Sequence, residues 1–386
     1  MQAREILFNL LRSQICGGEL QEDLAKQLTA EKLEELYHLS AQHDLAHIVG
    51  KALEKLPVTG GDAVLPKFRK QTLQAVYRYI KLDHEYQRIC QMLESRQIPY
   101  LPLKGSVLRA YYPEPWMRTS SDIDILVKEQ DLDQAEAILT KEMGYVKHSK
   151  NAHHISMASA DDVRLELHYS LLEEQYSEVR NQMLGQMWQI VTPAAGTEFC
   201  CEMPDEMFYF YHIAHMAKHM IKGGCGIRPL LDLWILNHRI DGDRQKRKAL
   251  LEQGELLAFA QAAEALSEVW FSGAQSSELL QNMEVFIVTG GVNGSLENSV
   301  AVRKGRTGSK LGYLMSRVFV GYKVLHGYYP ILEKHRYLQP FCWLHWWLKR
   351  VFGGGGYRLA LEMKAQARIA AQEENTAVNL IEQLGL

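Results

Sequence analysis

The chain of 386 residues is poor in several things. Cysteine is sparse: six, at Cys16, Cys90, Cys200, Cys201, Cys225 and Cys342, with no CxxC pair. That argues against a disulfide framework or a zinc ribbon and leaves buried or free thiols. Charge of one sign is lacking too. The 43 basic and 46 acidic residues leave −3, so no global field points to a grip on duplex nucleic acid. No window reaches the ~18 uninterrupted apolar residues of a membrane span. The opening MQAREILFNLLRSQ has neither a continuous apolar core nor a small-residue cleavage site, so it does not read as a secretory signal. The expected location is the cytoplasm. Low complexity is confined to Gly353–Gly356, and no internal repeat is visible.

What is present is ordinary for a folded chain: 47% apolar and 23% charged residues, enough length for two or three packed units. Residues 1–97 read as helical. Leu7, Leu10 and Leu11 form one stripe, Ala25, Leu28, Leu33 and Leu36 another, and from Leu73 the positions Val76, Ile80, Ile89, Cys90 and Leu93 recur at helical spacing. The pattern changes at Ile98. Residues 98–170 spell β-α-β-α-(β)-β-β, with DIDILV as a compact strand and Asp131 as the cap of the helix that follows. HHISMAS and VRLELHY then read as a hairpin. Helical periods return after residue 205, with irregular stretches at GGVNGS and AVRKGRTGSK. The expected class is α+β: a small mixed-sheet core over 98–200, flanked by helical regions 1–97 and 201–386.

The chemistry concentrates in the mixed region. Alternate residues of a strand share a face, so Asp122 and Asp124 project together while Ile123 and Ile125 point to the core. Glu166 lies in a later strand, on the face it shares with Arg164 and His168. Grouped carboxylates repel unless a cation sits between them, and Mg²⁺ or Mn²⁺ prefers such oxygen donors and bridges them to phosphates. The turn at Gly105-Ser106 opens a short helix whose amides attract phosphate oxygens. Lys104 and Arg118 supply charge to neutralise a polyphosphate. Metal, phosphate cradle and cationic clamp are what in-line attack at a nucleotide phosphorus needs.

K-G-S, then R-x3-D-I-D-I-L-V, then a strand ending in E-L-H resembles the bacterial "uncharacterised nucleotidyltransferase" family, a branch of the polymerase-beta-type superfamily. The likeness is closest over residues 95–240, where H-x2-H-x3-H and R-P-L-L-D-L also fit. It implies a minimal nucleotidyltransferase core in which Gly105 and Ser106 bind the triphosphate, Asp122 and Asp124 hold two divalent metals, and Glu166 completes the metal site or activates the nucleophile. It also implies substrate contact by His215 or His219. The substrate is then an NTP, with ATP foremost, and the acceptor a small molecule, a sugar, a protein or an RNA end. Fifteen residues separate Ser106 from Asp122, more than in the superfamily's commonest form. The reading from another class is a catalytically silent nucleotide- or partner-binding protein of the same fold.

Three weaker signals remain. His212, His215 and His219 line one helical face, where packing beside the nucleotide site is favoured over zinc, because i and i+7 lie ~10 Å apart along the axis. Arg303, Lys304, Arg306 and Lys310 crowd a Gly/Ser-bearing segment that reads as a solvated loop. Phe341, Trp343, Trp346 and Trp347 beside Lys349 and Arg350 suit burial on the domain or a partner better than a membrane interface.

Overall fold

The computed structural model describes residues 2–20, 23–173, 175–292, 294–307, 322, 325, 328–350 and 371–386. Its centre is a five-stranded mixed sheet of β1 (Tyr100–Pro102), β2 (Asp122–Val127), β3 (Val146–Lys150), β4 (His154–Ala158) and β5 (Arg164–His168). The order is β1-β2-β5-β4-β3, with β2 and β5 parallel and every other neighbour antiparallel. The β4–β5 pair is the hairpin that the alternation in HHISMAS and VRLELHY predicts. Sequence order differs from spatial order because β2 reaches β5 through the helix Leu132–Lys141 and the β3–β4 hairpin.

DIDILV is apolar on both faces except at its first and third residues, as a central strand should be. Ile123, Ile125 and Val127 join Leu165 and Leu167 in one core with Leu132, Ala135, Ile138 and Leu139 of the following helix. That helix begins at Leu132 as expected, but Asp131 makes no side-chain cap; a 3₁₀ turn over Glu129–Asp131 leads in instead. On the other face Leu126, Leu101 and Leu103 enter a larger core built from the helices before and after the sheet. Leu7, Leu10, Leu11, Leu33 and Leu36 are buried there, together with Phe210 and Ile213 of the helix Asp205–Ile221. The sheet thus has helices packed on both faces.

Two further expectations change. The helix Leu65–Ser95 buries Leu82, Ile89, Cys90 and Leu93, yet Leu73 and Ile80 stand 71% and 58% exposed. The helix runs past the edge of its packing partners, so periodicity alone overstates its buried face. The segment containing Arg303, Lys304 and Arg306 is no loop: it belongs to the helix Leu296–Thr307, whose Ala301 and Val302 pack in the same core as Ala377 and Leu380. Lys310 and Gly353–Gly356 lie outside the described residues. The Trp-rich segment forms the helix Gln339–Arg350, with Trp343 and Trp346 packed on Leu325, Leu332 and Cys342, and Phe341 exposed. Among the described residues no helix is long and apolar enough to cross a membrane.

Candidate active site

Asp122 and Asp124 share the face of β2 opposite Ile123 and Ile125. The parallel register sets Asp124 opposite Glu166 on β5, so three carboxylates meet on one patch of sheet. Asp124 is buried, and two groups hold its Oδ1: Lys104 Nζ at 2.8 Å and His168 Nε2 at 2.9 Å. Burial alone would raise its pKa; Lys104 and His168 outweigh that and hold it well below the ordinary value. His168 Nε2 also lies 3.3 Å from Glu166 Oε2. Burial pulls the imidazole's pKa down, but its bonds to both carboxylates win and raise it. Glu166 is likewise lowered, with the bond from His168 overcoming burial. Asp122 is the exception. Burial first, then Asp124 and Glu166, push it up to about 6. Within this patch Lys104 and His168 compensate Asp124 and Glu166, and the crowding of like charge appears at Asp122. Asp122, Asp124 and Glu166 offer hard oxygen donors of the kind that Mg²⁺ or Mn²⁺ takes.

Lys104 reaches the cleft through an unusual backbone. It sits at φ +46°, in the left-handed half of the map, and caps the one-turn helix Gly105–Leu108. The chain doubles back so sharply that a Cβ on Gly105 would lie 3.2 Å from Ser120 Cβ, which explains glycine there. Gly105 lines the cleft; Ser106 does not. The Ser106 N–H donates to Leu103 O within the turn, so it is already engaged.

The segment before β2 is tied down by two arginines. Arg118 Nε donates to Asp232 Oδ1 at 2.7 Å, and Tyr112 Oη donates to the same oxygen at 2.7 Å. Arg228 Nη1 donates to Asp44 Oδ2 at 2.9 Å and to the Thr119 carbonyl at 2.8 Å. Both arginines line the cleft. Arg118 is thus a clamp on the protein's own loop as well as a cation at the cleft wall.

The histidine helix divides. His215 and His219 line the carboxylate cleft, their Nε2 atoms 3.1 Å apart, so one donates to the other. Burial lowers both pKa values, with that of His219 at about 4, and keeps the pair neutral. His212 instead donates to Pro229 O at 3.0 Å beside an adjoining cavity. The structure therefore gathers Lys104, Gly105, Arg118, Asp122, Asp124, Glu166, His215 and His219 around one cleft.

Sequence reasoning missed His168, His154, Arg228 and Asp232 as participants. A signal existed for the first two. His168 shares the face of Glu166 by alternation, and the hairpin register makes His154 the cross-strand partner of His168. Arg228 and Asp232 lie in the first turns of the helix Arg228–Arg239, and their partners lie 184 and 114 residues away in sequence.

A family model described as "Uncharacterised nucleotidyltransferase" matches residues 29–272. No curated protein matches the chain. One solved structure that matches is the solution structure of the antibiotic-resistance factor ANT(2'')-Ia, described as revealing substrate-regulated conformation dynamics. It is 12% identical, with 52% of this chain and 91% of that chain covered and a TM-score of 0.26.

Proposed function

The chain belongs to the uncharacterised nucleotidyltransferase family, and from that premise we propose that it moves an NMP group from an NTP to a hydroxyl acceptor with divalent metal as cofactor. The observation that carries this reading is the pairing of Asp124 with Glu166 across β2 and β5, with Asp122 on the same face. Asp122, Asp124 and Glu166 would hold Mg²⁺ or Mn²⁺, and the ion would supply charge neutralisation at the phosphates. Gly105 allows the chain to approach a phosphate closely, while Lys104, Arg118, Lys218 and Arg228 make the cleft wall cationic. The acceptor oxygen bonds to the α-phosphorus as the bond to the pyrophosphate oxygen breaks, and pyrophosphate leaves with the electron pair. The hydroxyl proton passes to a cleft carboxylate. His215 and His219, neutral and at the same cleft, are placed to bond a substrate oxygen. ATP is the first nucleotide to try, and a small molecule, sugar, protein or RNA end is the acceptor class.

Calorimetric titration of ATP and GTP with Mg²⁺, on wild type and on Asp122→Ala/Asp124→Ala, tests the assignment. Equal Mg²⁺-dependent binding by both proteins would refute it. One observation favours a second reading, a silent nucleotide-binding member: Lys104 and His168 already occupy Asp124 Oδ1 from within the protein. Pyrophosphate release over a panel of NTPs and acceptors would exclude it.

A further inference from the structure

Next to the aspartate pair the cleft holds donors of another kind. His154 and His168 are register partners on β4 and β5, and Glu166 shares the face of His168. One ligand atom from each of the three lies within 4.8 Å of the others. His168 Nε2 is 3.3 Å from Glu166 Oε2 and 2.9 Å from Asp124 Oδ1, and His154 Nε2 is 3.7 Å from Glu166 Oε1. Metal bonds of about 2.0–2.2 Å to nitrogen and oxygen put neighbouring ligand atoms roughly 3.0–3.6 Å apart. The two edges to Glu166, 3.3 and 3.7 Å, lie at that range, and the His154–His168 edge, within 4.8 Å, closes by side-chain rotation around an ion.

We propose that His154, Glu166 and His168 form a nitrogen-bearing metal site that takes a first-row transition ion of the Zn²⁺ class in preference to Mg²⁺. This rests on the reading of the cleft as a metal-dependent centre and specifies which ion its His-lined side selects. The reason is donor chemistry. Imidazole suits Zn²⁺ and its neighbours, whereas Mg²⁺ demands an oxygen shell and gives up water reluctantly. Two imidazoles and one carboxylate leave an open position for water or substrate, as in catalytic zinc sites. The scaffold is firm, because two of the ligands lie on β5 and the third on the strand beside it. Entry is open as well. His154 is half-buried, and its Nε2 meets the amide of exposed Asn151 at 3.1 Å, a partner that solvent can replace. Lys104 sits at Asp124 Oδ1, which leaves the ion to the Glu166 side of the cleft, with Glu166 the carboxylate it shares with the Mg²⁺ seat at Asp122 and Asp124.

Co²⁺, whose visible d–d bands report nitrogen ligation, is the probe. The full chain, stripped with a chelator, is titrated with Co²⁺ alone. Strong visible bands are expected, resisting a large excess of Mg²⁺ and erased by stoichiometric Zn²⁺. His154→Gln and His168→Gln should each weaken Co²⁺ binding at least about tenfold and alter the bands, with the far-UV dichroism of wild type. Asp122→Asn should retain the Co²⁺ bands while losing Mg²⁺-dependent ATP binding, so the two metal assignments fail separately. Absence of the bands from wild type, their persistence unchanged in His154→Gln, or their loss to Mg²⁺ would overturn the proposal. Should His168→Gln not fold, the half-buried His154→Gln decides alone.

Discussion

Lys104 Nζ and Asp124 Oδ1 lie 2.8 Å apart in a buried part of the cleft, joining the strained turn before the first short helix to the central strand. The contact links two segments that the sequence keeps 20 residues apart. It sets the charge of the site as much as its shape, since Lys104 is the amino group that compensates the most enclosed of three carboxylates.

Lys104→Met should therefore do more than remove a phosphate contact. Breaking this pair leaves buried Asp124 with His168 as its remaining partner, at a cost of about 3 kcal/mol. Asp124 would then draw a divalent ion in place of the lysine. Urea unfolding should show a large loss of stability in chelator, and the added stabilisation by Mn²⁺ should exceed that of wild type. If Mn²⁺ stabilises both proteins alike, Asp124 is not open to the ion.

Asp232→Asn tests the arginine clamp. Both Tyr112 and Arg118 donate to Asp232 Oδ1, and the residue is fully buried. The amide keeps the shape and removes the charge, leaving the Arg118 guanidinium enclosed without its counter-ion. Thermal unfolding should register a loss of about 3 kcal/mol. Mg²⁺-dependent ATP affinity should fall as well, because the loop that leads into Asp122 loosens. Unchanged affinity in a folded Asp232→Asn protein would confine the clamp to stability.

Much of this site is legible in the sequence, because strand alternation is a local rule. DIDILV places two carboxylates on one face without any knowledge of the fold, and VRLELHY does the same for Glu166. The pairing of β2 with β5 is harder, since 36 residues and a hairpin intervene between Val127 and Arg164. Only the tertiary register reveals that Asp124 opposes Glu166. Arg228 and Asp232 escape for the same reason, as their roles depend on helices docking over the loop at Thr119. The error over Arg303–Arg306 has another origin. Glycine and basic residues suggested a solvated loop, but Ala301 and Val302 had a core to enter, and burial overrode local composition.

Gly105→Ala probes the tight turn. The added methyl would sit 3.2 Å from Ser120 Cβ, both on short side chains with backbone close behind. Overpacking of this kind costs about 1–3 kcal/mol. Ser120→Gly removes the opposing carbon but also the hydroxyl that accepts from Arg109 Nη2 at 2.9 Å, so alone it should destabilise too. The double variant should lose less than the sum of the singles. Strict additivity would show that Gly105 and Ser120 do not press on each other.

Acid should unfold this protein through its buried histidines, and His47 is the cleanest test. It is 2% exposed, and its Nε2 donates to Met117 O at 2.9 Å. Burial, the largest influence, brings its pKa down to about 4 from 6.5, against the pull of Met117 O and Asp44. Above pH 6.5 the ring is neutral in folded and unfolded chains, and no pH dependence arises from it. As the pH falls, the unfolded chain takes the proton first, so stability drops between 6.5 and about 4 and levels off below. The linkage relation puts the loss at about 2.5 kcal/mol by pH 4.5. His47→Gln keeps an amide donor for Met117 O and cannot titrate. The stability difference between pH 7 and pH 4.5, measured by urea unfolding, should shrink by about that amount. His43, His212, His215 and His219 are all lowered as well, so an acid slope should persist in the variant. A slope as steep as wild type would mean that His47 is protonated in the native state already at pH 6.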